Sequence, residues 1–279
     1  TGSVGLGAVA PLFSALTRRY VESHFGEQSP ARFIALVGDA ELDEGNVWEA
    51  IADPATQELG NFTMVIDLNR QSLDRVIPDI AAVRLKRFFA DAGWHVAEAK
   101  YGSRLGAAFA EPGGDALEAH IDSMPNEAYQ ELFALEGADV RHKFLVDADE
   151  TVRNFVVDLD DAELKHLVTD LGGHDLGLLT DTFRECDATP EQPSVVFAYT
   201  IKGHGLPMAG DPMNHAALLS PDQVDAFRSE LGLDADTEWD RFDAHSPEGQ
   251  LCRAVGGDIN NSLPTPRPML PVPTAARST

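Results

Sequence analysis

Two nearly continuous apolar runs of strand length constrain this chain more than any other feature. Arg32 to Val37 reads Arg-Phe-Ile-Ala-Leu-Val and stops at Gly38-Asp39; Phe62 to Leu68 is the second run and stops at Asn69. Between them Glu41 to Leu59 has helical spacing, with Val47, Ile51, Ala55 and Leu59 four residues apart, and Pro54 is expected to break it near Asp53. Strands buried on both faces stay apolar along their length. Strand, helix, strand with such strands is the βαβ unit of a parallel sheet. The expected fold is therefore α/β, a mostly parallel sheet with helices on both faces.

The alternation continues along the chain. Val9, Leu12, Phe13, Leu16 and Tyr20 follow one helix face, Ile80 to Ala92 is helical, and Trp94 to Ala99 is a strand. Residues 114–190 read as an acidic, mostly helical insertion, clearest at 126–135, 149–157 and 175–183. Ser194 to Ile201 is the best strand of the second half, and Ser220 caps a helix over 221–231. From Ser262 five prolines fall within twelve residues, an extended linker rather than a core element. The expected organisation is one domain over 1–260 and a Pro-rich linker over 261–279.

Charge and composition narrow the function classes. Of 279 residues, 21 are basic and 46 acidic, so the net charge is −25, which opposes nucleic acid and anionic lipid as general partners. Any anionic ligand needs local positive potential, a metal or helix N-termini. No run approaches membrane-spanning length, and the N-terminus has no secretory pattern. Two cysteines, Cys186 and Cys252, make no disulfide framework, so a reducing cytoplasm is the expected compartment. The chain lacks an initiator Met, and a fragment or processed product is expected.

Three constellations can carry chemistry. Gly38-Asp39-Ala40-Glu41 lies at a strand's carboxyl end, where open parallel sheets bind ligands. A helix N-terminus there would suit a phosphate, and Asp39 would suit it only through a divalent cation. Read alone, Asp39 is more simply a helix cap. Asn69-Arg70-Gln71 ends the neighbouring strand; read alone it is a turn, but adjacent strand ends would bring Asp39 and Asn69 together as oxygen ligands for Mg2+. The third is Tyr199-Thr200-Ile201-Lys202-Gly203-His204-Gly205-Leu206-Pro207 with Asn214-His215, where a lysine can reach a phosphate or carboxylate and two histidines can exchange protons. Alone, such a loop is a weak indication, and a lone histidine is more often structural.

Together, Gly-Asp-Ala-Glu-Leu-Asp-Glu, Asp-Leu-Asn-Arg-Gln-Ser-Leu-Asp, Tyr-Thr-Ile-Lys-Gly-His-Gly-Leu-Pro and Asn-His-Ala resemble the thiamine-diphosphate domain of the transketolase-like family, with the homodimeric pyruvate dehydrogenase E1 type the best match. Ser3-Val4-Gly5-Leu6-Gly7, Ala92-Gly93-Trp94 and the Pro-rich tail share the resemblance. It implies thiamine diphosphate and Mg2+ as cofactors, with Asp39 and Asn69 binding the metal by side chain and Gln71 by its backbone carbonyl. Gly38, Ala40 and Glu41 would line the diphosphate, Leu73 the cofactor's middle, and Val4 the aminopyrimidine. Lys202 matches the active-site lysine near the diphosphate, and His215 the histidine of a mobile active-site loop. His204 stands where relatives often have Tyr.

The implied activity is oxidative decarboxylation of a 2-oxo acid, pyruvate foremost, with acyl transfer to a lipoyl-bearing E2 acyltransferase, in a homodimer. Two departures stand out: Ala40 replaces the second glycine of Gly-Asp-Gly, and Asp67 replaces the first Asn of a pair. The family's upstream histidine segment and its second domain are absent from this sequence, so the isolated chain is expected to be inactive. Transketolase-type two-carbon transfer between sugar phosphates, and a non-catalytic piece that binds only cofactor or subunit, are the competing readings.

Overall fold

The computed structural model describes residues 4–72, 75–76 and 82–262. Both apolar runs are strands, β1 (Phe33–Gly38) and β2 (Phe62–Leu68). After them come the two-residue strands β3 (Gln71–Ser72) and β4 (Arg75–Val76), which pair with each other antiparallel. Strands β5 (His95–Ala99) and β6 (Ser194–Tyr199) complete a four-stranded sheet of order β1-β2-β6-β5 in which every pairing is parallel. Gly38 lies beside Asp67, and Leu68 beside Tyr199. The carboxyl ends of β1, β2 and β6 therefore stop side by side, and three separate stretches of sequence emerge from one edge.

Parallel strands need crossovers that pack on the sheet faces. Helices α1 (Leu6–Phe25), α2 (Gly45–Ala52) and α3 (Ala82–Asp91) cover one face through Leu12, Val47, Ile51 and Phe89, against Met64, Ile66, Val195 and Phe197. Phe62, Phe89, Trp94 and Phe197 meet edge-on there, with ring centroids 5.2–5.8 Å apart. Burying one such ring is worth about 2 kcal/mol, so this knot fastens β2, α3 and β6 together.

Between β5 and β6 run α4 (Ser103–Phe109), α5 (Gly114–Ser123), α6 (Asn126–Ala134), α7 (Ala138–Phe144), α8 (Glu150–Phe155), α9 (Asp161–Val168) and α10 (Leu176–Asp187). The expected insertion is thus helical throughout, and α4 to α9 form their own core around Leu117, Leu132, Phe144 and Leu164. Helix α10 returns to the second sheet face, where Leu179, Phe183 and Cys186 pack on Val65, Val196 and Ala198. Helices therefore flank both faces, although Ile34 and Leu36 of β1 point to solvent on the α10 side.

The chain divides into two compact units, Thr1–Gln223 and Val224–Thr279. The second holds most of α11 (Pro221–Glu230) and α12 (Pro247–Ser262). The Pro-rich tail lies outside the described residues. No helix among the described residues is long and apolar enough to cross a membrane.

One local expectation is corrected. The stretch after β1 was expected to be helical from Glu41 to Leu59, with Gly38 to Glu41 at the helix start. Instead Asp39–Asp43 is a 3-10 turn, α2 begins at Gly45, and Pro54–Thr56 is a second 3-10 turn. Pro54 ends α2 as expected, with the Asp53 carboxylate accepting from Ala55 N–H at 2.9 Å. The tight turn after Gly38 is held by Trp48, whose Nε1 donates to the Leu42 carbonyl at 2.6 Å.

Candidate functional site

The edge where β1, β2 and β6 stop gathers all three constellations. Asp39 follows β1, and its Oδ2 accepts the Arg70 backbone N–H at 3.0 Å. Asn69 follows β2, and its Oδ1 accepts the Gln71 N–H at 3.0 Å, an Asx turn. Arg70 between them has φ 62°, a left-handed conformation that costs a residue with a side chain about 1 kcal/mol or more. Two side-chain acceptors on consecutive N–H groups hold it there. The carboxylate of residue 39 and the 69–71 turn are thus joined directly.

Asp39 is largely buried and its pKa is pushed up to about 6. Burial is the main cause; the Arg70 N–H opposes it, and the charge of Asp67 adds to it. Asp67 itself, a departure noted in the sequence, accepts from the Thr200 hydroxyl, and Thr200 N–H reaches the Leu68 carbonyl at 3.3 Å. The ends of β2 and β6 are thereby stitched. In front of Gly38 the space is open: a Cβ built there meets nothing within 4 Å.

The loop after β6 folds back on this edge. Gly203, Gly205 and Gly210 all have positive φ, which lets a short loop reverse repeatedly. The Lys202 carbonyl accepts both Gly210 N–H and Asn214 Nδ2, each at 3.0 Å. Gln71 Nε2 reaches the Gly210 carbonyl at 3.4 Å, so the loop docks on the 69–71 turn. Lys202 Nζ lies 3.3 Å from His215 Nδ1. The ammonium can only donate, so this contact suits a neutral His215.

Other expected residues are placed differently. Glu41 accepts the Gly5 N–H, tying the start of α1 to the turn after β1. Val4, next to it, is exposed. Ala40 sits within the 3-10 turn. Leu73 lies outside the described residues. His204 is exposed and stacks on His174, with ring centroids 3.7 Å apart.

His174 itself was missed in the sequence. Its Nε2 accepts the Ile201 N–H at 2.8 Å, which puts the ring proton on Nδ1. Burial, then the neighbouring His204, lowers its pKa to about 4. A neutral ring therefore positions the first residue of the Lys202 loop. Gly172 and Gly173 deliver it: a Cβ on Gly172 would lie 2.5 Å from the Ala99 carbonyl carbon, and one on Gly173 would run into the Tyr199 carbonyl oxygen. Gly-Gly-His ahead of a helix, two glycines permitting close backbone approach, is the pattern that could have revealed it.

The chain resembles known proteins over most of its length. Residues 1–110 match the family described as transketolase, thiamine diphosphate binding domain. The pyruvate dehydrogenase E1 component of Cupriavidus necator is 28% identical over 288 residues, covering 98% of this chain and 32% of that protein. The E1 component of Escherichia coli is 29% identical over 82% of this chain and 26% of its own length. That of Mycolicibacterium smegmatis is 31% identical over 74% of this chain and 22% of its own length. The chain thus spans under a third of the length of these relatives. Among solved structures, a transketolase variant from Pichia stipitis superposes with TM-score 0.55 at 16% identity, covering 94% of this chain and 30% of that one. Campylobacter jejuni transketolase gives 0.52 at 16% identity, covering 91% and 30%. The parallel sheet and its helices are the transketolase-like thiamine-diphosphate-binding fold.

Proposed function

We propose that this chain, whose residues 1–110 match the transketolase thiamine diphosphate binding family, supplies the diphosphate- and metal-binding part of a pyruvate dehydrogenase E1-type enzyme. The substrate is a 2-oxo acid, pyruvate foremost, and the acyl acceptor a lipoyl-bearing E2 protein. Sequence identity of 28–31% to E1 components supports this over sugar-phosphate transfer, because the transketolase structures share only the fold at 16%.

The observation that carries the reading is the bond from Arg70 N–H to Asp39, which sets the two strand tips together. The donor set suits a hard divalent ion: the Asp39 carboxylate, the Asn69 side-chain oxygen and the Gln71 backbone carbonyl. Each side-chain oxygen named here already accepts one N–H and keeps further lone-pair capacity. No three His, Cys, Asp or Glu side chains converge among the described residues. Mg2+ here would thus have largely neutral oxygen ligands, phosphate oxygens and water, which is how Mg2+ is commonly held. The open space before Gly38 gives the diphosphate room.

When bound, thiamine diphosphate accepts the electron pair released as carbon dioxide leaves the 2-oxo acid. The chain's own residues do simpler things. Asp39 and Asn69 would hold the metal that accompanies the diphosphate, and Lys202 would offer an ammonium to anionic oxygen. His215, exposed beside Lys202 with Nδ1 towards the ammonium, would exchange a proton with substrate or acceptor at Nε2. His204 is set against His174 and serves as its stacking partner.

Asp39→Ala and Asn69→Ala are expected to abolish Mg2+-dependent binding of thiamine diphosphate in calorimetry. Wild-type affinity in both variants would sink the assignment.

A further inference from the structure

In a chain of net charge −25, a cavity walled by cations needs a reason. Arg70, Arg84, Arg87 and Lys100 line a cavity of about 650 Å3 whose acidic lining residue is Asp122. Leu68, Tyr199 and Lys100 place it over the carboxyl ends of β2, β6 and β5, the edge at which open parallel sheets bind ligands. Asp39 is not among its walls.

Arg70 serves two places at once. Its backbone N–H serves Asp39, but its side chain lines this cavity instead. Arg70 is 8% exposed, and its Nε and Nη2 have no hydrogen-bond partner. The guanidinium carbon lies 4.9 Å from the Tyr129 ring centroid and 5.9 Å from that of Phe133. Ring faces attract the cation without satisfying its N–H donors. Burial lowers its pKa, yet an arginine keeps its charge in a folded protein. Lys100 is already paired with Asp122 at 2.5 Å, so the acid that lines the cavity among the described residues is spoken for and Arg70 is not. A buried, unpaired guanidinium is among the costliest groups a fold can carry, and an anion is what relieves it.

We infer that this cavity binds a small ligand bearing an oxyanion, a phosphate or a carboxylate. Arg70 is the buried anchor, Lys100, Arg84 and Arg87 form a positive rim, and Tyr129 and Leu68 face the ligand's apolar body. Arg70 shares its backbone with the metal turn, but Asp39, Asn69 and Gln71 are not among the walls of this cavity, and anion binding in it needs no metal.

Calorimetry and thermal melts on the full chain in EDTA, without any thiamine compound, test it. Inorganic phosphate and acetate are titrated separately against chloride of equal ionic strength. Saturable binding with a raised melting temperature is expected for at least one, and the tighter of the two identifies the oxyanion. Arg70→Leu should weaken binding at least tenfold, and Lys100→Gln severalfold. If Arg70→Leu does not fold, Lys100→Gln and Arg87→Gln, changes at the rim, carry the same expectation. No saturable binding of either anion, unchanged affinity in the folded variants, or binding that appears only when Mg2+ is added would each overturn the proposal. The last would assign the anion to the Asp39 turn.

Discussion

His174 points a bare nitrogen at the Ile201 N–H because its surroundings keep the ring neutral, and that makes its protonation a stability switch. Its folded pKa, about 4, lies below the ordinary 6.5. As pH falls through 6.5 the unfolded chain takes up a proton that the native ring refuses. Stability is therefore full above 6.5 and is lost progressively towards pH 4. At full burial the shift would correspond to about 3 kcal/mol; for a partly exposed ring roughly half of that survives solvent screening. Urea melts between pH 7 and pH 4 should show a steeper decline for the wild type than for His174→Gln; parallel curves would remove this role. The neighbouring glycine gives a second test. Gly173→Ala places a methyl group on the Tyr199 carbonyl, a rigid atom, and should cost about 1–3 kcal/mol in the same melts. A neutral result would mean that the 172–174 segment is free to retreat. Neither residue was legible beforehand. Asp39 and Asn69 could be read because each directly follows an apolar run. His174 lies 27 positions from Ile201, and no periodicity joins them. Arg70 was visible only as a letter in a turn, and its burial follows from Tyr129 and Phe133, which the sequence supplies sixty residues later.

Elements divide along the same physical line. The sheet was readable since its strands are largely apolar: all six residues of β6 are buried, and β1 keeps the apolar pattern although Ile34 and Leu36 are exposed. The break of α2 was readable at Pro54, a local property. The turn after β1 was not, because Gly38 to Glu41 carries the same capping residues whether the chain winds as α or 3-10; the Trp48 bond to Leu42 decides it. Helix α4 shows the limit clearly. Its first N–H groups find no cap in adjacent sequence, and Gly102 offers no side chain. The Asp170 carboxylate, sixty-six residues on, accepts from Arg104 N–H at 2.9 Å and Leu105 N–H at 3.1 Å. Asp170→Ala should cost about 1 kcal/mol, the usual price of losing a helix N-cap. The loss should show first as faster hydrogen exchange at the amides of residues 104 and 105. Unchanged exchange there would show that water caps the helix equally well.

At the scale of the whole molecule, charge sets the conditions under which every local arrangement operates. With 46 acidic against 21 basic residues, the surface repels itself, and compaction brings those charges closer. Individual exposed pairs such as Arg32–Asp187 oppose this weakly, each worth about 0–1 kcal/mol. Added salt screens both terms, but the repulsion is summed over many more charges than the pairs. The screening length falls from about 10 Å at 0.1 M to about 3 Å at 1 M. The unfolding midpoint in sodium chloride should therefore rise across that range, and by less in a variant with several surface Asp changed to Asn. A midpoint that falls with salt would show that specific ion pairs, not net repulsion, govern this chain. The same field bears on how the two cations near the sheet edge are set. Arg70 is shielded from the acidic exterior by Tyr129 and Phe133, and Lys202 is drawn in by the glycine turns of its loop. For an acidic protein to bind anions as proposed, its positive potential must stay local, and both cations follow strands that end at one edge of the sheet.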